Sequence, residues 1–163
     1  MMKRVLVVCT GNVCRSPAAQ ALLERALPGR TIESAGIAAT SGTAIDPVMN
    51  ELLIARGLDV SAHRSQRVDE RVCRSADVIL VMELAHRHLI ERAYPMVRGR
   101  VYRLAERYRA DVPDPYRRSR HVYDYAMTLI EHGATDWAAR IANLDTSRAG
   151  HPGSGADRPQ NTQ

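Results

Sequence analysis

The sequence predicts an α/β fold: a four-stranded parallel sheet with helices on both faces, forming a three-layer sandwich. Two observations carry this expectation. The Val-rich runs at 4–9 and 77–82 are apolar at nearly every position, as strands buried on both faces are. Such runs alternate with segments whose apolar residues recur at helical spacing, so the chain reads as strand, helix, strand, with right-handed crossovers. In sheets of this kind ligands bind beyond the carboxyl ends of the strands.

Arg4–Cys9 (RVLVVC) is the first expected strand, and 10–15 is a loop. Ser16-Pro17 starts a helix, with Ser as N-cap and Pro at the first helical position. Ala18, Ala21, Leu22, Leu23, Ala26 and Leu27 give that helix an apolar side, and Pro28-Gly29 ends it. A second strand is expected over 31–34. Asp46-Pro47 caps a second helix, which carries Met49, Leu52, Leu53 and Arg56 and stops at Gly57. A short helix is expected over 69–74, a buried strand over 77–82, and a helix over 83–93 that Tyr94-Pro95 terminates. A fourth strand falls at 100–104, followed by a Pro-restricted loop at 112–115. From about Tyr116 a long amphipathic helix runs to about Leu144. Val122, Ala126, Leu129, Ile130, Trp137, Ile141 and Leu144 form its apolar side. Residues 1–144 form one domain. Residues 145–163, rich in Gly, Ser, Pro and Asn without periodicity, are expected to be a disordered tail.

The 163 residues suit a single core, and the absence of Phe leaves that core to Val, Leu, Ile, Ala and Met. No apolar run approaches the ~18 residues that span a membrane. The stretch after Lys3-Arg4 is too short for a secretory core of roughly 7–15 apolar residues, so a cytoplasmic location is expected. Three cysteines, an odd number, argue against a disulfide framework, and their spacing is not that of zinc ligands. No metal and no cofactor are expected. Residues 98–121 hold eight arginines against Glu106, Asp111 and Asp114, a local excess equal to the chain's whole net charge of +5. Such a stretch is a solvated basic surface or a face for an anionic partner.

The chemistry concentrates in Cys9-Thr10-Gly11-Asn12-Val13-Cys14-Arg15-Ser16-Pro17. A Cys ends a buried strand, an Arg follows at a spacing of Cys-x₅-Arg, then a Ser and a helix. Gly11 and Asn12 tolerate left-handed backbone. Such a loop can turn its N–H groups inward as an anion cradle at a helix N-terminus. Arg15 adds a bidentate grip on two oxygens. The same surroundings favour Cys9 as a thiolate, poised to attack phosphorus. A nucleotide-binding Walker loop is disfavoured because no Gly-Lys-Ser/Thr follows.

These nine residues resemble the phosphate-binding loop of the low-molecular-weight protein tyrosine phosphatases. The resemblance extends to E-S-A-G (33–36), S-A-H-R-S (61–65) and D-P-Y (114–116), and D-P-Y-R-R-S is most similar to the bacterial subgroup that partners tyrosine kinases of exopolysaccharide synthesis. It implies a protein tyrosine phosphatase working through a phosphocysteine on Cys9. It further implies phosphate binding by Thr10, Gly11, Asn12, Val13, Cys14, Arg15 and Ser16, and Asp114 as general acid and then base. Ser16 would hydrogen-bond the thiolate. Asn12, Ser34 and His63 would hold the loop, and Tyr116 would line the cleft. A reversible Cys9–Cys14 disulfide is implied as protection against overoxidation. The expected partner is a phosphotyrosine protein, a bacterial tyrosine kinase, with no nucleic acid and no membrane insertion. Asp114 has independent support, standing between Pro113 and Pro115 on a stiff loop.

The chain departs from the pattern of the family it resembles in three places. Thr43 follows Thr40-Ser41-Gly42 where animal members carry a bulky aromatic residue, Arg117 replaces the second Tyr of their acid loop, and the order Gln66-Arg67 is reversed from the Arg-Gln common in the family. The cleft should be more open and more basic. An arsenate reductase of the same architecture would need two further cysteines just after 77–82, where this chain has Met82-Glu83-Leu84. A non-enzymatic nucleic-acid domain using 98–121 would have no need of Cys9, Arg15, Ser16 and Asp114 together.

Overall fold

The computed structural model describes residues 1–149, the side chains through 147. Strands β1 (Arg4–Cys9), β2 (Thr31–Gly36), β3 (Val78–Val81) and β4 (Val101–Arg103) form one sheet in the order β2-β1-β3-β4, with every pairing parallel. The helices are α1 (Arg15–Ala26), α2 (Pro47–Ile54), α3 (Glu70–Ser75), α4 (Leu84–Ala93) and α5 (Arg120–Ala149). Alternation along β1 divides the core. Val5, Val7 and Cys9 face α1, α2 and α5, whereas Leu6 and Val8 face α3 and α4. The expected three-layer sandwich is the observed fold.

Local chemistry explains most element ends. The Asp46 carboxylate accepts the Met49 N–H at 3.0 Å and starts α2 behind Pro47. Asp69 does the same for α3 by accepting the Val72 N–H at 2.8 Å. The first helix departs from expectation. It begins at Arg15 with Cys14 as its N-cap, and Ser16 lies inside the first turn. The Ser16 hydroxyl is bonded to Cys9 and Asn12 instead and does not cap the helix.

Helix α5 begins at Arg120, later than the expected Tyr116, because Arg117 takes a left-handed φ of 58° and breaks the helical path. It runs on to Ala149, past the expected stop at Leu144, so 145–149 are helical rather than tail. The rest of the expected disordered tail, 150–163, lies outside the described residues. Leu144 is exposed, not part of the apolar side, and Tyr123 and Met127 are buried there.

Gly36 ends β2 opposite Cys9. A Cβ on it would stand 2.6 Å from the Thr10 carbonyl oxygen and 2.9 Å from the Asn12 nitrogen. The absence of a side chain therefore lets the loop after β1 lie directly on the sheet edge. Gly133 plays the same part on α5, where a Cβ would meet the Leu104 carbonyl oxygen at 2.7 Å.

Candidate active site

Cys9 is the last residue of the central strand, buried, at the carboxyl end of the sheet. Its sulfur accepts the backbone N–H of Asn12 at 3.2 Å and lies 3.0 Å from the Ser16 hydroxyl. The N–H groups of Gly11, Val13, Cys14, Arg15 and Ser16 find no protein acceptor among the described residues, which leaves a row of donors at the N-terminus of α1.

Asn12 is the keystone of this loop. It takes φ 55°, a left-handed geometry that Asn accepts more readily than most residues. Its side-chain amide donates to Ser16 Oγ at 2.8 Å and to Ser34 Oγ at 2.9 Å. Its side-chain oxygen accepts the Gln66 N–H at 2.9 Å, and its main-chain oxygen accepts His63 Nε2–H at 2.7 Å. Asn12 is fully buried with every polar atom matched, so the loop has one low-energy arrangement. The direction of donation then follows. Ser34 accepts from Asn12 and donates to Gln20 Oε1 at 2.6 Å. Ser16 accepts from Asn12, which leaves its own proton for the Cys9 sulfur.

Arg15 is 1% exposed, and a buried cation requires partners. One terminal nitrogen donates to Glu83 Oε1 at 2.6 Å and to the Val112 carbonyl at 2.8 Å. The other donates to Thr10 Oγ1 at 3.3 Å and stands 3.6 Å from Asp114 Oδ2. The Val112 N–H in turn donates to the Met82 carbonyl at 2.9 Å, which ties the Asp114 loop to the end of β3. Asp114 is about half exposed, and its Oδ1 accepts the Tyr116 N–H at 3.2 Å.

Cys9, Thr10, Gly11, Val13, Cys14 and Arg15 form the floor of a cleft of about 250 Å³. Ala38, Thr40, Thr43, Asp114 and Tyr116 complete its lining. The structure thus brings together every residue singled out from the sequence. Ser34 and His63 sit behind the loop and hold it without lining the cleft. Cys14 is buried and, like Cys9, a free thiol. Burial, reinforced by Asp46, pushes its thiol far above the ordinary range.

Glu83, His86, Gln20 and the Val112 carbonyl were not legible from sequence. Glu83 had one available signal: it directly follows a buried strand, at the sheet end where ligands bind. His86 is buried on the first turn of α4. Its Nδ1 accepts the Glu83 N–H at 3.2 Å, so Nε2 carries the proton and donates to Thr10 Oγ1 at 3.0 Å. Burial holds its titration below the ordinary value of 6.5. Arg15 adds to that effect, and Glu83, Asp111 and Asp114 oppose it. As pH falls, the unfolded chain takes up this proton first. The stability from neutral His86 is therefore complete above 6.5 and declines below it, until the folded imidazole itself titrates. The loss of melting temperature between about pH 7 and pH 5 should be smaller in His86→Gln than in the wild type, as thermal melts would show.

A parallel α/β sandwich whose central strand ends in a thiol, beside a row of backbone donors and a buried arginine, is an oxyanion site with a nucleophile in it. The family model described as low molecular weight phosphotyrosine protein phosphatase matches residues 4–147, and the chain belongs to that family. It is a phosphoric monoester hydrolase of the protein-tyrosine-phosphatase type. It is 44% identical over 144 residues to the probable low molecular weight protein-tyrosine-phosphatase EpsP of Ralstonia solanacearum, covering 88% of this chain and 99% of the relative. Among solved structures it is similar to Vibrio vulnificus Wzb in complex with benzylphosphonate, with TM-score 0.82, 35% identity, and coverage of 86% of this chain and 99% of that one. It is also similar to the YwlE arginine phosphatase from Geobacillus stearothermophilus, with TM-score 0.85, 29% identity, and coverage of 92% and 99%.

Proposed function

We propose that the chain hydrolyses phosphotyrosine through a phosphocysteine on Cys9, with Asp114 as general acid and then general base. The observation that carries this reading is the Cys9 sulfur itself. It receives an N–H and an O–H at the floor of the same cleft that holds Arg15 and Asp114. In the first step the sulfur attacks phosphorus, and the P–O bond to tyrosine breaks. Asp114 gives its proton to the departing phenolate. In the second, Asp114 takes a proton from water, whose oxygen displaces the sulfur and releases inorganic phosphate. Arg15 and the free loop N–H groups hold the three equatorial oxygens, where charge is spread during both transfers. Tyr116 stacks on the substrate ring.

The physiological substrate in this reading is the phosphotyrosine-bearing tail of a bacterial tyrosine kinase of exopolysaccharide synthesis, met in the cytoplasm. Relatives such as EpsP support it, and so does the exposed positive charge that follows Tyr116 in the chain. Arg117, 5.1 Å over the Tyr116 ring, and Arg118 have no carboxylate partner among the described residues, and both suit an acidic substrate. No described helix is long and apolar enough to cross a membrane.

The test is phosphate release from matched phosphotyrosine, phosphoserine and phosphoarginine peptides. Release from phosphotyrosine alone supports the reading. Release from phosphoarginine alone would replace it with the activity named for the third relative. A kinase tail from which the pure protein frees no phosphate would remove that partner. Arg15→Lys should lower kcat on phosphotyrosine by ~10²–10³-fold, because an ammonium cannot keep Glu83, Val112 and Thr10 while gripping two phosphoryl oxygens. Steady-state kinetics beside a melting curve would separate that loss from unfolding.

A further inference from the structure

We infer that His86 is a positioning residue for the anion site, setting the Arg15 guanidinium through the Thr10 hydroxyl. This rests on the reading of Arg15 as the phosphoryl-binding group. The Arg15 fork is held at two points. Glu83 and Val112 take one terminal nitrogen at 2.6 and 2.8 Å, and Thr10 Oγ1 takes the other at 3.3 Å. The first anchor holds one edge of the guanidinium. The second holds the terminal nitrogen on the cleft side, where Asp114 Oδ2 stands 3.6 Å away.

Thr10 Oγ1 can serve only if it is itself held, and His86 Nε2–H holds it at 3.0 Å. The hydroxyl oxygen has two lone pairs. One accepts from His86 and the other from Arg15, so its own proton remains free to turn toward the cleft that Thr10 lines. The tautomer this requires is the one the far side of the ring enforces, because Nδ1 already accepts the Glu83 N–H at 3.2 Å. Glu83 therefore joins the two residues a second time: its main chain orients the imidazole and its carboxylate holds the guanidinium.

The experiment compares His86→Asn and His86→Gln, alone and combined with Thr10→Val. Asn offers an acceptor where Nδ1 stood but no donor at Thr10. Gln reaches Thr10 with an amide N–H. The readouts are the affinity for inorganic phosphate, and kcat and KM for a small aryl phosphate, with melting curves to establish that each variant is folded. His86→Asn should weaken phosphate binding and kcat/KM by about 10-fold, the size of one buried hydrogen bond to a charged group's support. His86→Gln should recover most of that loss. In the Thr10→Val background His86→Asn should change phosphate affinity by less than about 2-fold, since the route is already cut. An undiminished effect of His86→Asn in that background would overturn the inference, as would wild-type phosphate affinity in folded His86→Asn. A wild type that binds phosphate without turning over the aryl ester would count against the proposed function. The phosphate affinities would still decide the role of His86.

Discussion

Cys9→Ser is expected to abolish phosphate release from phosphotyrosine, a loss on the order of 10⁴-fold or more. The substitution is nearly isosteric, and the serine oxygen can still accept from the Asn12 N–H and the Ser16 O–H that now converge on sulfur. The loop, and with it phosphate affinity, should survive. What is lost is the nucleophile. A thiol ionises within reach of neutral pH and a hydroxyl does not, and among the described residues no histidine or carboxylate is hydrogen-bonded to residue 9 to take the proton from a serine. The measurement is phosphate release from a phosphotyrosine peptide, with phosphate binding followed in parallel. Retained binding without turnover is the expected pair of results. Turnover within about 10-fold of wild type would remove Cys9 from the mechanism.

Asp114→Ala comes second, with an expected loss of ~10²–10⁴-fold on phosphotyrosine. The tyrosyl leaving group has a pKa near 10 and departs poorly as an anion, so the proton donor matters. An aryl phosphate that leaves as a stable phenolate needs no proton and should lose much less. The contrast between the two substrates is the signature of a general acid. The position suits exchange with solvent: the carboxylate is about half exposed at the cleft wall, 3.6 Å from an Arg15 nitrogen. In the hydrolytic half the same loss should make the phosphocysteine persist long enough to be trapped by acid quench. Equal losses on both substrates would instead point to a role in placing the loop, since Asp114 also accepts the Tyr116 N–H. Unchanged turnover would remove Asp114 from its assigned role altogether.

The sheet was legible because its strands announce themselves. β1 falls at Arg4–Cys9, the same bounds that the Val-rich run suggests, and the cap at Asp46 is where the Asp-Pro pair places it. Ser16 shows the limit of that method. Serine before proline is a sound helix start by local rules, yet the hydroxyl is claimed by Cys9 and Asn12 and the helix begins one residue earlier. The first turn of α5 failed for a related reason, because Arg117 takes a positive φ that nothing in its side chain predicts.

The sequence by itself determined the architecture and the placing of a loop between β1 and α1, and it singled out Cys9 and Asp114 as candidates for the chemistry. Periodicity, capping and backbone preference act over about four residues and can be read along the chain. Only the tertiary structure decided what surrounds those groups. Glu83, His86 and the Val112 carbonyl reach Arg15 and Thr10 across sequence separations of 68, 76 and 97 residues. Their selection follows from burial. A guanidinium and a hydroxyl taken out of water must find partners wherever the fold brings them, and that proximity is set by packing the sheet and not by neighbours in the chain.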